Sequence, residues 1–231
     1  MWTETKQNAK ASLRSGNGIS RMAEHLDEVS DSLVGVEFHL VGHSAGALLL
    51  GHLLDKMRQR DMQAQTVTLY APGGALNFAN SVYGRAARAG VFDPANLHVH
   101  ALTDERERDD RVAAYGKSVL YLISRALEVD HKTPLLGLSC AWRAETAADG
   151  TWAIPPHRKS NPDVARWVKG LGASATLHQV DSVKGPLASA DGTRPATHIA
   201  FDEDVALAEI TLKRVLGRDV LGQAVLDLRG V

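Results

Sequence analysis

Long apolar runs are missing from this 231-residue chain. The longest strongly apolar stretch, Ala45 to Gly51, falls far short of the ~20 residues that cross a bilayer, and the start, Met-Trp-Thr-Glu-Thr-Lys-Gln-Asn, lacks the apolar segment of a secretory leader. No membrane role is expected, and the cytoplasm is the expected location. Cysteine is nearly absent. The one present, Cys140, cannot form an intramolecular disulfide, and its setting in Leu135-Leu136-Gly137-Leu138-Ser139-Cys140-Ala141-Trp142 reads as a buried strand thiol. Net charge is small, −1 with a pI near 6.8, which gives no electrostatic reason to expect nucleic acid or an anionic membrane as partner. Metal-ligand spacing is also lacking: His98-Val99-His100 is an in-strand pair with no third ligand nearby in sequence, and no metal or cofactor is expected. What remains is ordinary globular composition, 44% hydrophobic and 23% charged, at a length that suits one domain over residues 1–231.

Within that composition one stretch stands out, Val36-Glu37-Phe38-His39-Leu40-Val41-Gly42-His43-Ser44-Ala45-Gly46-Ala47-Leu48-Leu49-Leu50. Apolar alternation predicts a strand, Gly-His-Ser-Ala-Gly a sharp turn, and the Ala/Leu run a helix. A serine at the apex of so tight a turn sits in strained backbone with its Oγ exposed above the sheet. The residues two before and two after it approach neighbouring backbone closely, which predicts that only small residues fit at Gly42 and Gly46. Ser44 would lie at a helix N-terminus, with the Ala45 N–H directed at developing negative charge.

This motif and its setting resemble the α/β-hydrolase family. The resemblance implies a Ser-His-acid triad in the chain order Ser, acid, His. The family carries about four strands before its elbow strand, and the loop after the third supplies a second oxyanion donor. Only some 35 residues precede the elbow here, mostly helical in pattern. The resemblance therefore implies an N-terminally truncated version of the fold, its second oxyanion donor of unassigned source. The segment from Leu40 through the charged run 104–111, the Tyr115 to Leu122 stretch and the His198 loop is also similar to bacterial α/β-hydrolase-fold proteins of unassigned substrate.

Taken in order, residues 1–34 are polar with a helical pattern from about Ser20 to Leu33, stopped by Gly35. After the elbow strand and a helix to about Arg60 come a strand at 65–71, closed by Pro72-Gly73-Gly74, a helix at 77–89 and a strand at 96–104. The charged run follows, then a long helix at 112–129, a strand at 134–142, an irregular segment at 143–162, a short helix at 163–171 and a strand at 175–180. Residues 182–197 read as a Gly/Pro/Ser-rich surface loop, 203–216 as a final helix stopped by Gly217, and 219–231 as a tail without clear periodicity. Strands alternating with helices predict an α/β domain: a mostly parallel sheet of about five strands covered on both faces.

Chain order selects the base. Of ten histidines only His198 falls on a loop after the last strand and before the last helix, where the general base belongs. The acid should sit at a strand's C-terminal end near the serine. Asp104 ends the second strand after the elbow strand, roughly 10 Å away by strand spacing. That is also where the family most often carries its acid. Asp109, Asp110, Glu145 and Asp149 remain alternatives, and the charged run could equally be a solvated loop of ion pairs.

Two functions follow. The first is a serine hydrolase of a small-molecule ester or thioester, with Ser44 as nucleophile, His198 as base, Asp104 as orienting acid and Ala45 as oxyanion donor; its acyl pocket would be walled by residues 77–92, 143–162 and 182–197. The second is a non-catalytic or partner-dependent module, whose exposed sheet edge could pair with another copy.

Overall fold

The computed structural model describes residues 2–143, 161–187 and 192–228. Helix α1 (Trp2–Ala11) and helix α2 (Gly18–Ser32) come first, followed by strand β1 (His39–His43) and helix α3 (Gly46–Arg58). Strand β2 (Thr66–Tyr70), helix α4 (Leu76–Arg88) and strand β3 (Leu97–Leu102) continue the alternation. Three parallel pairings join β1, β2, β3 and β4 (Thr176–Val180) in that order. β2 is buried at every position, Thr-Val-Thr-Leu-Tyr, as a parallel strand covered on both faces must be. α3 packs against α1, α2 and α4. The opposite side carries helix α9 (Val205–Leu216), tied to β2 where Arg214 donates to Thr68 Oγ1 at 3.0 Å and the Tyr70 hydroxyl meets the Thr211 hydroxyl. Gly217, at φ 58°, ends α9 in the left-handed conformation that favours glycine.

Four departures from the sequence pattern stand out. The polar N-terminal stretch holds an additional helix, α1. It is anchored by Trp2, whose Nε1 donates to Glu128 at 2.7 Å while Lys6 pairs with the same carboxylate at 2.7 Å. The long helix expected over 112–129 is broken. Ala113 takes φ 52°, and Ser118 caps a new short helix, α6 (Val119–Leu122), that runs into a π-turn at Ile123–Leu127. Residues 134–142 form no strand of the sheet, which has four strands rather than five. This apolar segment is buried as a loop because the turn after β2 meets its polar backbone: Leu76 N donates to Pro134 O, Leu136 N to Gly74 O and Gly137 N to Pro72 O. Cys140 therefore lies in a buried 3₁₀ turn, Ser139–Ala141, and burial beside Asp104 pushes its thiol pKa well up. Finally, the charged run is no open loop: Thr103 caps helix α5 (Asp104–Asp109), whose Asp104 and Glu107 are buried.

The remaining elements are α7 (Pro162–Lys169), α8 (Leu171–Ser174) and a small antiparallel pair, β5 (Ser182–Val183) with β6 (Arg194–Pro195). Among the described residues β1 stands at the end of the sheet and pairs only with β2. Among the described residues no helix is long and apolar enough to cross a membrane.

Candidate functional site

The site begins with the chain reversal between β1 and α3. Ser44 N donates to Tyr70 O at 2.9 Å, and Gly73 N donates to Ser44 O at 3.1 Å, so the neighbouring strand and its outgoing turn grip the apex from both sides. The grip holds Ser44 at φ 52°, a conformation costing a non-glycine residue roughly 1–2 kcal/mol. At Gly42 a Cβ would lie 2.7 Å from Leu50 Cδ1 and 3.2 Å from the Gly46 carbonyl carbon, as the close approach requires. Gly46 differs from the expectation: a Cβ there meets nothing within 4 Å, because the first turn of α3 faces open space. The Ala45 N–H has no backbone acceptor among the described residues.

Ser44 Oγ lies 2.9 Å from His198 Nε2. His198 opens a 3₁₀ turn, His198–Phe201, and is only 6% exposed. Burial, with a smaller contribution from His43 nearby, pushes its pKa down to about 3, so the imidazole is neutral at neutral pH. Its Nδ1 has no hydrogen-bond partner among the described residues. Asp104, expected there, is directed elsewhere. Its carboxylate is buried and accepts the Tyr121 hydroxyl at 2.5 Å, since a buried phenol must find an acceptor. Among the alternatives, Asp109 pairs with Arg106 at 2.9 Å, and Glu145 and Asp149 lie outside the described residues. Asp110 does touch His198, through the main chain: its Oδ2 accepts the His198 N–H at 2.9 Å.

Comparison with known proteins found no matching family model, curated protein or solved structure. The geometry of the site is therefore the ground for any functional reading.

Ser44 and His198 open into a cavity of about 490 Å³ whose apolar wall includes Val112, Val119 and Ile199, with Arg111 and Thr197 also lining it. The pocket walls were expected from residues 77–92, 143–162 and 182–197; 77–92 do not line this cavity, 144–160 lie outside the described residues, and from 182–197 Thr197 lines it. The rest of the wall comes from the segment after α5, the start of α6 and the His198 loop, because the long helix expected over 112–129 breaks and folds over the serine. Sequence reasoning also missed His43, read only as the elbow's variable residue. Its Nε2 lies 2.9 Å from the His198 carbonyl oxygen, a contact across 155 positions that leaves no local pattern. Among the described residues no group of three or more His, Cys, Asp and Glu side chains could hold a metal ion.

Proposed function

We propose that the protein is a serine hydrolase that cleaves a carboxylic ester or thioester through an acyl-enzyme on Ser44. The supporting observation is the 2.9 Å contact between Ser44 Oγ, on a strained strand-to-helix turn, and His198 Nε2 at the mouth of an apolar cavity. In this reading neutral His198 takes the hydroxyl proton as Oγ attacks the acyl carbon. The Ala45 N–H then donates to the oxyanion, one such donor being worth about 3 kcal/mol. The same imidazole returns the proton to the leaving alcohol or thiol, and water releases the acyl group by the reverse sequence.

A second reading is favoured by two specific observations. His198 Nδ1 has no carboxylate, and an imidazole at about 3 is a weak base. β1, which leads into the serine, also has an outer edge unpaired among the described residues. On that reading the chain is an α/β-hydrolase-like module that is inactive until a partner, or a second copy, completes it. A panel of p-nitrophenyl esters and acyl thioesters separates the two, run with Ser44→Ala and His198→Ala beside size exclusion over a range of concentrations. Turnover by a monomer, lost in both variants, supports the hydrolase. No turnover together with a stable dimer supports the module.

A further inference from the structure

The base of this site is held by its peptide group rather than by its ring. Asp110 Oδ2 accepts the His198 N–H at 2.9 Å, and His43 Nε2 lies 2.9 Å from the His198 carbonyl oxygen, positioned to donate to it. The N–H belongs to the first residue of a 3₁₀ turn, where no acceptor exists within the turn itself, so a side chain is needed to satisfy it. The two contacts arrive from different elements. His43 ends β1 and immediately precedes the nucleophile, while Asp110 caps the C-terminal end of α5, beyond β3.

Both side chains are themselves fixed. Asp110 Oδ1 accepts the N–H of Arg111 at 2.8 Å. The His43 ring packs 6.2 Å from Phe201, which stacks on Tyr70 at 5.9 Å, and its Nδ1 faces Asp202 at 4.0 Å. Nδ1 of His198, the atom by which a carboxylate would orient the ring, is buried without a partner. The ring's aim at Ser44 therefore depends on where the main chain sets its Cα–Cβ bond.

We propose that His43 and Asp110 are positioning residues that clamp the His198 peptide from both sides and so keep Nε2 within hydrogen-bonding reach of Ser44 Oγ. His43 and Ser44 are adjacent in the chain, so the clamp places nucleophile and base in one frame. The role of the clamp in catalysis rests on the hydrolase reading; the clamp itself does not.

The test uses volume-conserving variants. His43→Phe and Asp110→Leu keep the packing and remove the hydrogen bond, whereas His43→Gln and Asp110→Asn keep a donor or an acceptor in place. For each, the rate of Ser44 reaction with a fluorophosphonate and the kcat and KM for a p-nitrophenyl ester are measured, with the thermal midpoint as a folding check. His43→Phe and Asp110→Leu are expected to lower the rate and kcat by about 10- to 100-fold with KM unchanged, the cost of a base displaced by an ångström or less. His43→Gln and Asp110→Asn should recover to within about threefold of the parent. The proposal is overturned if the first pair reacts at the parent rate, or if the second pair fails to recover.

The carbon-bound proton resonances of the His198 ring provide a readout independent of turnover. One sharp set is expected in the parent and in the second pair, and broadened or doubled signals in the first. A parent that does not react with the probe overturns the hydrolase reading alone, and the clamp then stands or falls on the ring signals.

Discussion

Two groups of imidazoles lie on this sheet, and they have different fates. At the C-terminal end of β1, His43 and His198 sit with ring centroids 5.1 Å apart, and His198 reaches a serine that opens into a cavity. Across β3 and β4, on the face carrying α9, His98, His100 and His178 form a packed group in which His100 is buried and His98 and His178 are half-buried. His100 stacks on His178 at 4.3 Å, and His98 Nδ1 lies 3.3 Å from His178 Nε2. In sequence, His98 and His100 had no third histidine nearby. The parallel register that sets His100 beside His178 supplies one.

Burial is the largest cause of the lowered pKa in every member of this second group, as it is for His198, with His98 at about 4 and His100 at about 3. Depression alone therefore does not distinguish a candidate base from a packed core histidine. A nucleophile within hydrogen-bonding distance, at a cavity with room for a substrate, does.

Removing each group's central residue gives the sharpest contrast. His198→Ala should lower reaction of Ser44 with a fluorophosphonate by roughly 10³-fold or more, read as a second-order rate, with little change in the thermal midpoint. His100→Leu should do the reverse. Both ring nitrogens of His100 are buried without a partner, so an apolar side chain of similar size should raise the midpoint by about 2–4 °C and leave the rate unchanged.

Acid should act on the three-histidine group of β3 and β4 next. Each of its histidines has a folded pKa below the ordinary value of 6.5, so between that pH and about 3 to 4 the unfolded chain binds protons that the folded chain excludes. Stability falls as pH falls through that window. The effect is reinforced by Arg214 of α9, whose positive charge further lowers all three, while Tyr70 and Asp204 lie on the same side. Thermal midpoints measured from pH 7 to 4 should drop by several degrees more in the parent than in His100→Leu. Equal slopes would remove His100 from the explanation of acid sensitivity.

Smaller effects are expected within the elbow. Gly42→Ala forces a Cβ against Leu50 and the backbone of Gly46 and should lower the midpoint by a few degrees, whereas Gly46→Ala has room and should not. Asp104→Asn should change the fluorophosphonate rate by less than about threefold, because an amide oxygen can still accept the Tyr121 hydroxyl and His198 is not its partner. A loss of about 10³-fold would instead place Asp104 in the reacting assembly.

Much of the fold could be read from the chain. α3, β2, α4, β3, β4 and α9 lie within about two residues of the patterns that announce them, because period and breakers agree in those segments, whereas β1 begins at His39, three residues after its pattern, and runs into the Gly-His of the turn motif. The pattern failed at 112–129 and 134–142. In the first, apolar spacing of three and four is real, but Ala113 turns left-handed and Ser118 starts a new helix. In the second, an apolar run of strand length is a buried loop, which periodicity cannot distinguish when the acceptors come from residues 72–74. At the site, Ser44 and His198 were legible because motif and chain order each select one residue. The contacts of His43 and Asp110 were not, since both are made to main-chain atoms and leave no mark on residue type.

The most direct measurement is treatment of the folded parent protein with a fluorophosphonate, followed by mass analysis of the peptide containing Ser44. The hydrolase account predicts one phosphonyl group per chain on Ser44 Oγ, formed with loss of fluoride and absent in Ser44→Ala and His198→Ala. A folded parent that stays unmodified, or a Ser44→Ala variant that labels equally, would contradict it.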